Sequence, residues 1–504
     1  MASNVPEILK STSLIGGSTL LNLAIGIART KVLAMLLGPA GVGLVGLYAS
    51  IVDLSRSVAG MGISSSGVRQ IAEAAGSGDV ERISRTAVVL RRVAVALGLL
   101  GAAALLLLAK PVSLLSFGDT AHAGSIALLS LALIFGIYAD AKGALLQGTR
   151  RIMELAKMGV LGALIGTVTS LALVALFGEK GVAPALVAIA ASSALAAWWY
   201  CRRVRIEALA ITWPQVSEEA AALLKLGIAF MTSGCLMMGA AYAARIFVLR
   251  ESGLHAAGLY QAAWSIGGLY VGFVLQAMAT DFYPRLVAAS RDNAECNRLV
   301  NEQAQVSLLL AGPGVLATLV LAPVVVAVFY TSNFAGAVDV LRWICLGVAL
   351  RVISWPMGYI IVAQNRRAIF FAAELAWTVF NVGATWLFLQ WFGLVGAGVA
   401  FFASYVFHVA IIYPTVRAMT GFRWSTTTRR TAVLFVATVA VVFGALYTLP
   451  PLAAHLFGFA AIIICSAYSA RALITLIPPD RLPASVRRLL AVLTRRTRLE
   501  GRAL

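Results

Sequence analysis

Residues 158–178, MGVLGALIGTVTSLALVALFG, carry no charged side chain, and after Glu179-Lys180-Gly181 a second uncharged stretch follows at 182–201, VAPALVAIAASSALAAWWYC. A helix rising about 1.5 Å per residue needs about twenty apolar residues to cross the hydrocarbon core of a bilayer. The two stretches therefore read as a helical hairpin that crosses twice, joined by a turn. A basic cluster, Arg202, Arg203 and Arg205, follows at once.

The pattern repeats outward from this hairpin in both directions. Apolar runs fall at 11–37, 44–66, 87–109, 122–146, 158–178, 182–201, 226–249, 257–280, 303–329, 337–363, 369–391, 394–415, 431–449 and 454–476. The sequence thus predicts an all-α polytopic membrane protein of about 14 transmembrane helices. With 60% hydrophobic and 12% charged residues in 504, the chain has too little polar surface to cover a water-soluble globule. A single-anchor protein, a disordered chain and a disulfide-stapled domain are excluded on the same ground. The first run is too long, and carries Arg29 and Lys31, for a cleaved signal peptide, and is expected to be retained.

Charge distribution gives an orientation. Forty Lys and Arg against 21 Asp and Glu leave a net charge of +19, which in a soluble protein would suggest nucleic acid. In a membrane chain the positive-inside rule accounts for it, and no nucleic-acid partner is expected. With the amino terminus inside, the external connections hold Lys110, Lys180 and Arg250, whereas most other basic residues fall toward the internal side. Among them are Arg82, Arg85, Arg91, Arg92 and the seven arginines from Arg481 to Arg502. Both termini are expected in the cytoplasm. The basic tail, with Val486, Leu489, Leu490 and Leu493 among its arginines, reads as an amphipathic helix on an anionic leaflet or as a solvated tail.

Enzymatic chemistry finds little footing. The five cysteines lack CxxC spacing, the four histidines are scattered over distant segments, and no GxxxxGK[ST], HExxH or nucleophile-elbow motif occurs. No metal site and no cofactor are expected. A membrane glycosyltransferase or ligase needs an external domain to hold its acceptor, but the external connections here are short, none above about fifteen residues. Transport is the economical reading.

An internal repeat supports it. A shift of 215 positions lays Gly43-Leu44, Ser50-Ile51 and Leu54 on Gly258-Leu259, Ser265-Ile266 and Leu269. Spans 1–6 and 7–12 then form equal sets joined by a polar linker from Arg202 to Lys225 that includes Trp213-Pro214. Two pseudo-symmetric six-helix lobes are expected at 1–212 and 213–430, with the ligand between them, followed at 431–504 by two extra helices and the basic tail.

Ionisable groups inside spans locate the chemistry, because each costs about 2.5–3.5 kcal/mol to insert and so faces a cavity or a partner. Span 1 holds Arg29 and Lys31, span 2 Asp53 and Arg56, span 7 Arg245, span 10 Arg342 and Arg351, and span 11 Glu374. Asp53 and Arg56 are three residues apart and either neutralise each other or meet the ligand. Asp140 and Lys142, near the inner end of span 4, are expected to snorkel, and Arg342 to reach water at the outer interface. Arg29, Lys31, Arg245 and Arg351 have no such excuse and are expected to line a cavity. Glu374 is a candidate proton or ion carrier, or else pairs with Arg351. A cavity rich in guanidinium groups suits an anionic ligand, phosphate above all.

At this point the residues carry a resemblance. Gly38-Pro39-Ala40-Gly41-Val42-Gly43-Leu44 after a basic first span, and Ala59-Gly60-Met61-Gly62-Ile63 leading to Val68-Arg69, resemble bacterial polysaccharide flippases of the multidrug/oligosaccharidyl-lipid/polysaccharide exporter superfamily. Leu341-Arg342-Trp343, Gly347, Arg351, Gly358-Tyr359 and Ala363 are similar to span 10 of O-antigen and enterobacterial-common-antigen translocases, and Phe371 to Glu374 with Gly393-Leu394-Val395-Gly396-Ala397 continue the likeness. It covers about the first 420 residues.

The resemblance implies a flippase that moves an undecaprenyl-pyrophosphate-linked oligosaccharide, an O-antigen or related repeat unit, from the cytoplasmic to the periplasmic leaflet of the bacterial inner membrane. Lys31, Arg351 and Glu374 match polar positions of that family, whereas Arg29, Asp53, Arg56 and Arg245 follow from charge alone. The expected substrate-binding set is Arg29, Lys31, Arg56, Arg245 and Arg351, with Asp53 and Glu374 as ion-coupling candidates. Membrane lipids, a polysaccharide polymerase and a chain-length regulator are the further partners implied. Family members commonly stop after span 12, so the two extra helices keep a lipid II flippase open as an alternative. A multidrug or cation antiporter is the other, and would favour acidic residues in the first lobe.

Overall fold

A computed structural model describes residues 5–204, 212–277 and 282–476, among which every regular element is helical. The tail from Arg481 to Arg502 and Arg205 lie outside the described residues, as does the end of the run predicted at 257–280. The helices are α1 Val5–Ala59, α2 Ile63–Ser77, α3 Val80–Leu107, α4 Ala109–Phe117, α5 Ala123–Gly148, α6 Ile152–Phe177, α7 Val182–Cys201 and α8 Trp213–Ala277. They continue as α9 Tyr283–Ala288, α10 Asn293–Val320, α11 Ala322–Phe329, α12 Ala337–Ala363, α13 Arg367–Phe392, α14 Leu394–Thr420, α15 Thr426–Thr448 and α16 Pro451–Leu476. Among the described residues ten helical stretches are long and apolar enough to cross a membrane. Two of these, Gly17–Ala59 and Ile152–Cys201, are 43 and 50 residues long, far more than one crossing needs.

The chain divides into two compact units. One comprises Met1–Gly267, Ala322–Ile344 and Arg367–Phe407; the other comprises Gly268–Leu321, Cys345–Arg366 and His408–Leu504.

In the first unit, both long helices that join predicted spans are broken at a glycine. Within α1 the break is Gly38 (φ 62°, ψ −170°), and within α8 it is Gly253 (φ 83°, ψ 173°). Such angles are open to glycine and strained for any residue with a Cβ. The two breaks stand 215 positions apart, the same shift that aligns the repeat. Pro39 then opens the second half of α1, where a fixed φ and a missing N–H are tolerated.

Positions equivalent under that shift touch each other. A Cβ on Gly43 would lie 2.6 Å from Leu254 O, and one on Gly258 would lie 1.7 Å from Pro39 O; the two contacts exchange under the shift. Gly46 and Gln261, also equivalent, meet as well, with Gln261 Oε1 2.7 Å from where a Gly46 Cβ would stand. The pairing makes a prediction. Gly258→Ala is expected to destabilise the protein by about 1–3 kcal/mol, seen as a lower melting temperature in detergent. Gly239→Ala, with nothing within 4 Å of its Cβ, is expected to be neutral or stabilising.

The run predicted at 44–66 is interrupted. Met61 (φ 44°) and Gly62 (φ 64°) leave the helical region, so α1 ends at Ala59 and α2 starts afresh at Ile63. There the backbone is pressed against α8: a Cβ on Gly62 would fall 2.1 Å from Gly227 O. On α2, Ile63, Ser66, Gly67, Ile71 and Ala74 are buried at helical spacing. The hairpin of α6 and α7 packs through Gly162 and Gly166, where an added Cβ would stand 3.2 Å from Ser193 Cα and 3.3 Å from Ile189 Cα.

In the second unit α10 carries the two last helices. Asn301 Nδ2 donates to Arg423 O (3.1 Å), and its Oδ1 accepts from Ser425 N (2.7 Å). Asn297 likewise bonds Thr420 through its amide and its oxygen. These amides satisfy the backbone of the short link between α14 and α15, and Ser425 caps α15 by accepting from Thr428 N.

Candidate substrate-binding cavity

The first unit contains three adjoining hollows. The upper one, about 270 Å³, lies near the glycine breaks and is lined by Arg29, Thr30, Gly46, Ser170, Gln261, Ser265 and Tyr330, among others. The middle one, about 450 Å³, shares Ala49, Leu186 and Ile189 with it. The lower one, about 420 Å³, reaches Gly60, Gly62 and Met231, and shares Asp53, Arg56, Ser64 and Asp140 with the middle one. A polar string thus runs inside a unit whose outward side chains are largely apolar.

Arg29 projects into the upper hollow from α1, nine residues before the break at Gly38. It has no hydrogen bond or ion pair among the described residues. A half-buried guanidinium without a protein acceptor retains five donors for an incoming anion.

Lys31 takes another course. Its Nζ donates to Ala327 O (2.7 Å) and Tyr330 O, the orphan carbonyls at the end of α11. Residues two apart on a helix differ by about 200° in direction, so Lys31 turns to these carbonyls while Arg29 faces the hollow.

Between the middle and lower hollows the expectation is corrected. Arg56 pairs with Asp140 of α5, Nε to Oδ2 at 2.7 Å with Nη2 on Oδ1, a bidentate bridge. Asp140 therefore does not snorkel, and Asp53 is not the main partner of Arg56. Gly136, one helical turn from Asp140, supplies the notch: a Cβ there would lie 3.1 Å from Arg56 Cδ. Asp53 lines both hollows within electrostatic reach of Arg56 and Arg245.

Arg245 lines none of these three hollows directly. Its Nε donates to Gln261 Oε1 (2.8 Å), its Nη1 to Ala241 O (2.9 Å), and Gln261 Nε2 donates on to Ser265 Oγ (3.0 Å). Since Gln261 and Ser265 line the upper hollow, Arg245 acts there through a polarised amide rather than by contact.

Of the remaining expected residues, Arg351 belongs to the second unit, where its guanidinium carbon lies 4.3 Å from the Trp355 ring centroid. Glu374 is half-buried on α13 of the first unit. Arg342 does not reach for water as expected: its side chain is only 11% exposed and lies 3.4 Å from Asp339. Gln261, Gly136 and the pairing of Asp140 were not expected from the sequence; the acidic residue inside a span was the signal available for the last.

The family described as polysaccharide biosynthesis protein matches residues 32–339, more than half of the chain. The chain belongs to this family. The lipid III flippase of Escherichia coli is 22% identical over 415 residues, covering 80% of this family member and 97% of the flippase. Among solved structures, a multidrug resistance MATE family transporter of the MOP superfamily in its inward-facing conformation gives a TM-score of 0.68 at 19% identity, over 80% of this chain and 94% of the other. The lipid II flippase MurJ, inward closed, gives 0.65 at 15% identity over 92% of this chain and 99% of its own. The fold is that of MOP-superfamily transporters.

Proposed function

We propose that the protein is a flippase for a lipid-linked oligosaccharide, and that its substrate is an undecaprenyl-pyrophosphate-linked repeat unit of O-antigen or a related polysaccharide. It works as a transporter, not an enzyme. In this reading it lies in the bacterial inner membrane with both termini in the cytoplasm, and hands its product to a polymerase and chain-length regulator. The observation that carries the reading is the Arg29 guanidinium, open to an anion at one end of a string of hollows in a polysaccharide-biosynthesis family member. Names of relatives point the same way, since two of them flip lipid III and lipid II.

Arg29 is the principal ligand of the pyrophosphate. Arg245 supports it through Gln261, and the bridge of Arg56 to Asp140 presents a nearly neutral wall along which sugars can pass. Asp53 is the candidate for binding a proton or cation, because a carboxylate flanked by Arg56 and Arg245 changes the charge balance of the hollow when neutralised. Glu374 is the second coupling candidate and Arg351 a further anion ligand in the transport cycle. Alternating access by two lobes, 1–212 and 213–430, completes the proposal.

The test is transport by the purified full chain in proteoliposomes. A fluorescent undecaprenyl-pyrophosphate oligosaccharide should cross between leaflets, and the same glycan on an uncharged polyprenyl ether should not. Equal rates for both, or no movement of the pyrophosphate, would overturn the reading. Preferential movement of lipid II over the oligosaccharide would reassign the substrate.

A further inference from the structure

The surface of the first unit carries a groove that the transport reading leaves unused. It lies between α1 and α6, has a volume of about 510 Å³, and is lined by Gly17, Ser18, Leu21, Val160, Leu161, Leu164 and others. Leu21 and Leu164 are 49% and 46% exposed, so the groove opens outward rather than into the bundle. One end is polar: Lys157 and Tyr200 complete its wall.

Around that end basic side chains outnumber acidic ones. Lys157 has no ion pair or hydrogen bond among the described residues, and the nearby carboxylate, Glu154, is taken by Arg151 at 3.8 Å. The Arg203 guanidinium carbon lies 5.4 Å from the Tyr200 ring centroid, and that of Arg202 lies 3.5 Å from Trp199. Trp198 and Trp199 are 47% and 40% exposed. Tryptophan, tyrosine and arginine in such a cluster mark headgroup depth. An apolar trough running from a free ammonium at headgroup depth has the shape and charge of a lipid whose phosphate is fixed and whose chain lies along the helices.

We propose that this groove is a binding site for an anionic phospholipid of the adjoining leaflet. Lys157 and the Tyr200 hydroxyl take its phosphate, and an acyl chain lies over Leu21, Leu161 and Leu164. The site is separate from the middle hollow, which the other side of α6 lines with Leu155, Met158 and Gly159.

Native mass spectrometry of the purified protein with phosphatidylglycerol or phosphatidylcholine tests the proposal, together with a phosphatidylglycerol carrying a photoreactive acyl chain. Retention of phosphatidylglycerol over phosphatidylcholine is expected, with photolabel on the peptide containing Leu161 and Leu164. Lys157→Glu should lower occupancy about tenfold, while Lys180→Glu, at the opposite end of the hairpin, should leave it unchanged. Equal retention of the two lipids, or labelling insensitive to Lys157→Glu, overturns the site. Displacement of the photolabel by undecaprenyl phosphate at lower concentration than by phosphatidylglycerol also overturns it, by assigning the groove to the substrate's tail. Transport failure in proteoliposomes leaves these readouts untouched.

Discussion

Arg29→Ala is expected to slow flipping of the pyrophosphate-linked oligosaccharide by about 10²-fold or more while the protein still inserts and folds. A guanidinium holds phosphate by two charge-assisted hydrogen bonds, each contributing about 1.5–3 kcal/mol, and every 1.4 kcal/mol is about a factor of ten. Arg29→Lys keeps the charge but loses the planar fork, so a loss of about tenfold is expected. Stability separates this role from a structural one. Arg29 has no protein partner in the upper hollow, so its removal leaves no orphaned acceptor and the melting temperature in detergent should hold or rise. A wild-type flipping rate in the alanine variant would remove Arg29 from the headgroup site. A fall of many degrees in melting temperature would show it to be part of the fold.

The membrane class was legible in the hydropathy, because uncharged runs such as 158–178 and 182–201 have no other solvent in which to sit. The signal for a repeat was weaker, since five matched residues said only that two segments are alike. Their meeting at Gly43 and Gly258, where each leaves room for the other's backbone, needed coordinates. Hydropathy was blind to the interruption at Met61 and Gly62, since a helix break set by two positive φ angles changes no transfer free energy.

Charge at depth was the clue to the candidate site. It identified the residues that must have a partner or a hollow, yet could not say which. Arg56 found Asp140, 84 residues away, because α1 and α5 cross at the Gly136 notch, a relation that no spacing on one helix encodes. Lys31 found the end of α11, nearly 300 residues away. Arg29 and Lys31 look equivalent in the sequence, and only the helical turn between them separates a cavity residue from a cap. Gln261, an uncharged side chain in an apolar run, gave no signal of its own until Arg245 was seen to reach it.

The bridge of Arg56 to Asp140 should show the same division between fold and function when its ends are exchanged. Asp140→Asn leaves a guanidinium lodged in the Gly136 notch with its bidentate acceptor gone. Breaking a fully buried pair costs about 3–5 kcal/mol, but these side chains are 36% and 38% exposed, so solvent screening reduces the expected loss to about 1–3 kcal/mol. Transport should suffer more than stability: the hollow gains a net positive charge beside the path, and a pyrophosphate held there too tightly leaves slowly, so about a tenfold loss in turnover is expected together with a tighter apparent substrate affinity. Arg56→Asp combined with Asp140→Arg restores the charge balance and should recover most of the melting temperature. It should not recover turnover, because the notch at Gly136 lies one turn from position 140 on the same helix and admits a guanidinium arriving from α1, not one that starts beside it. Melting in detergent and flipping in proteoliposomes, measured on Arg56→Asp, on Asp140→Arg and on the double variant, resolve the coupling between the two ends. Full recovery of flipping in the exchanged pair would mean that the bridge serves only to cancel charge, and the wall along which the sugars are proposed to move would have to be sought elsewhere in the first unit.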